Sequence, residues 1–123
     1  MSRHESDIRL RHMLDYAREA VSLAQGKSRA DLDTDRLLNL SLVQLVTMVG
    51  EAAKRVPRDV QEQQPGIAWP SIVGMRNRLI HGYDKIDFDV LWRTVTEDLP
   101  PLVAALEKIV PPKPPEQETE PGK

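Results

Sequence analysis

Apolar residues recur along this chain at helical spacing, and polar residues interrupt them where helices would begin and end. Leu10, Leu14, Ala17, Val21 and Ala24 repeat at spacings of four and three, which predicts a first helix from about Ser6 to Gln25, stopped by Gly26. The polar stretch Lys27 to Asp33 reads as a loop. Asp33 or Thr34 can cap a second helix that continues to about Arg55. Leu37, Leu38, Leu40, Leu42, Val43, Leu45, Val46, Met48 and Val49 cover most of its circumference. A helix apolar on more than one side in a small domain is either central or half of an oligomer interface, and both are expected here.

A short third helix is predicted from Pro57 to a stop before Pro65-Gly66. Pro70, following Trp69, opens a fourth, and Gly82 closes it after about three turns. A fifth starts near Asp87 or Asp89, with Phe88, Leu91, Trp92, Val95 and Leu99 as its inner face. Pro100-Pro101 must kink or restart it, because each proline removes a backbone donor and crowds the preceding turn. Apolar spacing resumes with Leu102, Leu106 and Ile109. Period-2 alternation is absent, so no strand is expected. The pattern predicts an all-α, up-and-down bundle of four to five helices over residues 1–110. Residues 111–123 hold five prolines and no large apolar side chain, and read as a disordered Pro/Glu-rich tail.

The fourth helix is unusual. At about 100° per residue, Ile72, Val73, Leu79 and Ile80 fall within roughly 60° of the direction of Arg76. Arg76 is therefore expected in the middle of the apolar stripe, with Arg78 pointing away and Asn77 and His81 stacked one turn apart on its rim. A guanidinium in that position asks for an anion, and its forked donors suit a phosphate.

Composition narrows the chemistry. A chain of 123 residues is one domain, and without cysteine it has neither disulfides nor thiolate metal ligands. The start, Met-Ser-Arg-His-Glu-Ser-Asp, lacks signal-peptide character, and the longest uncharged run, Leu37 to Gly50, is too short to span a bilayer. A soluble cytoplasmic protein with no membrane association is expected. The net charge of −2 argues against a broad nucleic-acid-binding face, so an RNA partner would have to meet a local basic site.

Three residues can carry chemistry: Arg76, His81 and Tyr83. Histidine moves protons near neutral pH, and arginine holds a phosphodiester and the charge that builds during in-line attack. Without a metal or cofactor, they suit RNA cleavage in which the ribose 2′-hydroxyl attacks its own phosphate. Asp84, Asp87 and Asp89 lie on a turn, where helix capping explains them better than two-metal hydrolysis does. No Gly-rich phosphate loop, serine elbow or His-x-x-x-His metal pair is present, and His4 and His12 read as surface residues. A plainer reading stands beside this one. Arg76 can pair with Glu51, His81 can favour a helix C-terminus, and Tyr83 can anchor a turn.

Arg76-Asn77-x-x-x-His81-x-Tyr83 resembles the signature of HEPN ribonucleases, specifically the HepT-like toxin branch. Val49-Gly50-Glu51-Ala52-Ala53-Lys54-Arg55, Trp69-Pro70-Ser71-Ile72-Val73-Gly74-Met75-Arg76-Asn77 and Thr96-Glu97-Asp98-Leu99-Pro100 are similar to phrases of that branch, in the same order. The resemblance covers about residues 5 to 110. It implies a homodimer whose two motif helices meet at the two-fold axis, placing Arg76 and His81 from both chains in one groove. It implies a metal-independent endoribonuclease toxin of a type VII-like toxin–antitoxin pair, with Arg76 and His81 catalytic and Asn77 orienting. The implied partner is a minimal nucleotidyltransferase antitoxin that adds adenylate to Tyr83. The alternative is a non-catalytic dimeric module that holds or regulates such a nucleotidyltransferase.

Overall fold

The computed structural model describes residues 3–81 and 85–112, so Tyr83 and the tail beyond Pro112 lie outside the described residues. Helix α1, Arg3–Ala24, packs lengthwise against α3, Arg36–Lys54, and against α8, Leu99–Glu107. Leu10, Met13, Leu14, Ala17 and Ala20 form its buried stripe. That stripe is the predicted one, and Gly26, in the left-handed region at φ 73°, follows the helix end as expected. Arg18 pairs with Glu107 at 2.7 Å, and Arg11 donates to the Pro111 carbonyl, so α8 runs antiparallel to α1.

The loop between the first two long helices contains a short helix, α2, Asp31–Thr34. The cap of α3 is therefore Asp35, not Asp33 or Thr34; its carboxylate accepts the Leu38 amide at 3.0 Å. Leu32 and Asn39 are buried beneath this corner, and the Asn39 amide donates to the Leu32 carbonyl at 2.9 Å. Helix α3 is central, as its composition predicts: Leu38, Leu42, Leu45, Val46, Val49, Ala52 and Ala53 are all buried. Leu37 and Leu40 are the exception, at 77% and 50% exposed.

Pro57 precedes α4, Arg58–Glu62, as the sequence predicts. The predicted fourth helix does not run unbroken. It is split into α5, Trp69–Val73, and α6, Met75–Leu79, by Gly74, whose ψ of 1° is non-helical. Its last helical residue is Leu79, three residues short of the expected stop at Gly82, and Ile80 turns extended (φ −99°, ψ 119°). Two short strands follow, β1, Ile80–His81, and β2, Lys85–Ile86, antiparallel with Ile80 opposite Ile86 and His81 opposite Lys85. This hairpin corrects the expectation of no strand. Strands of two residues are too short to display an alternating pattern.

Gly50 sets how closely these pieces approach α3. A Cβ there would lie 3.3 Å from the backbone oxygens of both Ile72 and Val73, so α5 lies against the α3 backbone itself. Helix α7, Phe88–Arg93, begins at Asp87 and passes into a π-helical turn, Thr94–Asp98, in which the Leu99 amide reaches the Thr94 carbonyl five residues back. That widened turn lets Pro100 and Pro101 occupy the first turn of α8, where a missing backbone donor costs little. The predicted restart is thus a change of helix type. Buried Leu91, Val95, Leu99, Leu102 and Leu106 keep one face inward across it, while Phe88, Trp92 and Ile109 are half-buried.

Candidate functional site

The site is built on α6 and the hairpin that follows it. Met75 and Leu79 are fully buried and fasten α6 to the core, leaving Arg76, Asn77 and Arg78 exposed. Arg78 is tied down: its Nη1 donates to the Ser71 carbonyl at 3.0 Å and lies 3.3 Å from the Ser71 hydroxyl. Arg76 makes no ion pair among the described residues. It is not enclosed by the apolar stripe, because the break at Gly74 resets the helical rotation that a continuous helix would impose. Nor does it pair with Glu51, which is exposed on α3, so the ion pair offered by the plainer reading is not formed.

His81 lies beyond α6, on β1, so it does not stack on Asn77 one helical turn away. Alternation across the hairpin does the positioning instead. Ile80 and Ile86 are half-buried against the core, which sends His81 and its cross-strand neighbour Lys85 to the exposed face. His81 is 65% exposed. Its Nε2 lies 3.3 Å from Oδ2 of Asp87.

Asp87 is held from three directions. Its amide donates to the Leu79 carbonyl at 2.7 Å, continuing the hairpin past β1. Its Oδ1 accepts the Val90 amide at 3.1 Å, capping α7, which is the role the sequence suggests. Its Oδ2 faces His81. The start of α7 is also braced by Arg29, which pairs with Asp89 at 2.6 Å and Asp33 at 3.0 Å and lies 5.8 Å over the Phe88 ring.

The hydrogen bond from Val90 is the main cause that holds the Asp87 carboxyl below its ordinary value of 3.8; burial opposes it, and the charges of His81 and Arg93 and the Asp89 amide assist. A carboxyl depressed on folding contributes stability that is present above the unfolded value and lost as pH falls through the folded one. The thermal midpoint of the wild type should therefore exceed that of Asp87→Ala by a constant margin above about pH 5. The margin should shrink as pH drops below 3.8. A margin that persisted unchanged well below pH 3.8 would instead assign the stabilisation to contacts that do not depend on the carboxylate charge.

The structure thus places Arg76 and Asn77 together on α6, and His81, Lys85 and Asp87 together on the hairpin and its exit. Lys85 and the Asp87–His81 contact are additions that the motif spacing did not supply; the signal for them was Ile-His and Lys-Ile, mirrored about the residues between. Among the described residues, no group of three or more His, Asp or Glu is arranged to hold a metal ion. No helix among them is long and apolar enough to cross a membrane.

Residues 13–109 match the family described as HepT-like, Ribonuclease HepT-like. A protein of Thermococcus cleftensis named "Probable ribonuclease HepT" is 35% identical over 95 residues, 74% of this chain and 86% of that protein. A protein of Caldanaerobacter subterraneus subsp. tengcongensis, provisionally named an RNase, is 29% identical over 82% of this chain and 90% of its own length. A Methanocaldococcus jannaschii protein, also provisionally named an RNase, is 26% identical over 80% and 81%. No solved structure gives a significant match to the chain.

Proposed function

The chain belongs to the HepT-like ribonuclease family, and from that membership we propose that it is a metal-independent endoribonuclease, the toxin of a type VII-like toxin–antitoxin pair acting in the cytoplasm. The observation that carries the reading is an exposed arginine with no ion pair among the described residues, five positions before an exposed histidine. Such an arginine costs nothing to keep charged and is available to a phosphodiester. Arg76 holds the scissile phosphate and Asn77 orients it. His81 exchanges protons with the ribose 2′-hydroxyl or the leaving oxygen. The 2′-oxygen attacks phosphorus as it loses its proton, the bond to O5′ breaks, and O5′ takes up a proton. Lys85, opposite His81, adds a second cation on the same face.

The proposed unit is a homodimer. A net charge of −2 argues against a broad basic face, but two copies of Arg76, His81 and Lys85 around one axis would make a local one. Exposed Leu37 and Leu40 on α3 provide apolar surface for such an interface. A minimal nucleotidyltransferase antitoxin silences the toxin by adenylylating Tyr83. The test is RNA cleavage by the purified chain in the presence of a chelator, with light scattering at micromolar protein. Cleavage by a particle of about 28 kDa, twice 13.9 kDa, is expected. A stable monomer would remove the shared groove, and cleavage restored only by magnesium would overturn the chemistry.

A further inference from the structure

We propose that Asp87 is a positioning residue for His81: it keeps the imidazole proton on Nε2, so that proton exchange with RNA runs through Nδ1. The inference rests on the ribonuclease reading for the exchange itself, but its structural half stands on the hairpin geometry alone. A carboxylate oxygen 3.3 Å from a ring nitrogen favours the proton on that nitrogen, since a bare nitrogen there would bring two sets of lone pairs together. The other nitrogen is then the one with a lone pair free. The carboxylate cannot swing away, because its Oδ1 is engaged by the Val90 amide and its backbone by Leu79. Among the described residues, the other charges bearing on the pair are Lys85, across the hairpin from His81, and Arg93, the last residue of α7. Both are cations, so the carboxylate is the only acceptor among these neighbours.

In the step this implies, the Nδ1 lone pair takes the 2′-hydroxyl proton and the freed oxygen pair forms the bond to phosphorus. The O5′–phosphorus pair departs with O5′, which is protonated by an acid of the site or by water. The ring, now protonated on both nitrogens, returns the Nδ1 proton to solvent. Asp87 stabilises that imidazolium without itself taking the proton.

A helix cap alone would give the same structure, so the test separates the two roles. Asparagine and serine both cap helices well. In Asp87→Asn the amide nitrogen faces Nε2 and donates to it, which forces the proton onto Nδ1 and removes the base. In Asp87→Ser the side chain is too short to reach His81, which leaves the ring unguided. Asp87→Asn should lose at least about 100-fold in kcat with KM unchanged, and Asp87→Ser about 10-fold. Nitrogen-15 chemical shifts of His81 should show the neutral ring protonated at Nε2 in the wild type and at Nδ1 in Asp87→Asn. Wild-type rates in both variants, or an unchanged tautomer in Asp87→Asn, would overturn the proposal and leave Asp87 as a cap. If the wild type cleaves no RNA, the ribonuclease reading falls, and the nitrogen shifts still decide whether Asp87 sets the tautomer.

Discussion

Replacing Arg76 or His81 with alanine should abolish RNA cleavage and relieve growth arrest while leaving the fold intact. Each loss is expected to lower the rate by about two to four powers of ten, the scale set by removing a general acid–base group or a charge that stabilises the transition state. The structure makes this a sharp comparison. Arg76 is exposed and makes no ion pair among the described residues, so its removal leaves no buried charge unpaired. His81 is 65% exposed and its contact is with a carboxylate that still has the Val90 amide. The thermal midpoints of both variants should stay close to that of the wild type, as for other exposed substitutions. Arg76→Lys adds a finer measure: it keeps the charge but loses the fork, and should remain well below wild type if the phosphate is gripped by two donors. Cleavage at the wild-type rate in either alanine variant would take that residue out of the chemistry, and a wild type that cleaves nothing would leave the non-catalytic binding module as the better account.

What the sequence could predict, and what it could not, divides along the range of the interactions involved. The stripes of α1 and α3 were legible because burial repeats over five turns or more, and one of the family phrases, beginning at Val49, lies on the end of α3. The segment carrying Arg76 was not, because its shape is decided by single residues. Gly74 drops out of the helix, and Ile80 exchanges a helical bond for a partner in Ile86. Both choices depend on tertiary packing: α5 lies against Gly50, and the Asp87 amide closes onto the Leu79 carbonyl. A rotation of 100° per residue, applied through Gly74, therefore turned an exposed arginine inward and suggested Glu51 as its partner.

The site itself was half legible. Side-chain chemistry selected Arg76 and His81, and the family resemblance added Asn77 as an orienting residue; all three are exposed. Asp87 was visible as a cap because Asp three residues before a helical amide is a local signal. Its second oxygen was not, since the contact with His81 exists only once the chain reverses between β1 and β2. Lys85 was missed for the same reason: neighbours across a hairpin carry no periodicity in two residues. The π turn before Pro100 shows the reverse case, in which a strong local signal was read correctly but its geometrical solution was not unique.

Co-expression with a minimal nucleotidyltransferase and ATP should silence the chain through Tyr83. In the expected reaction the phenolic oxygen would lose its proton and attack the α-phosphate of ATP, pyrophosphate would leave, and a phosphodiester would join tyrosine to adenosine. In sequence Tyr83 falls between His81 and Lys85, which face each other across β1 and β2. An adenylate on a residue two positions in sequence from each would add a negative phosphate near the cations that RNA would otherwise use, and would oppose the substrate by charge and by bulk. Intact-mass measurement should show one or more added adenylates, and cleavage should fall with their stoichiometry. Tyr83→Phe should carry none, keep its ribonuclease activity and arrest growth even with the antitoxin present, because only the acceptor oxygen has been removed. A Tyr83→Phe chain that is still modified and silenced would move the acceptor elsewhere. One that is unmodified but inactive would give Tyr83 a part in the chemistry or the fold, and any control by a nucleotidyltransferase would then have to act on Arg76 and His81 by contact.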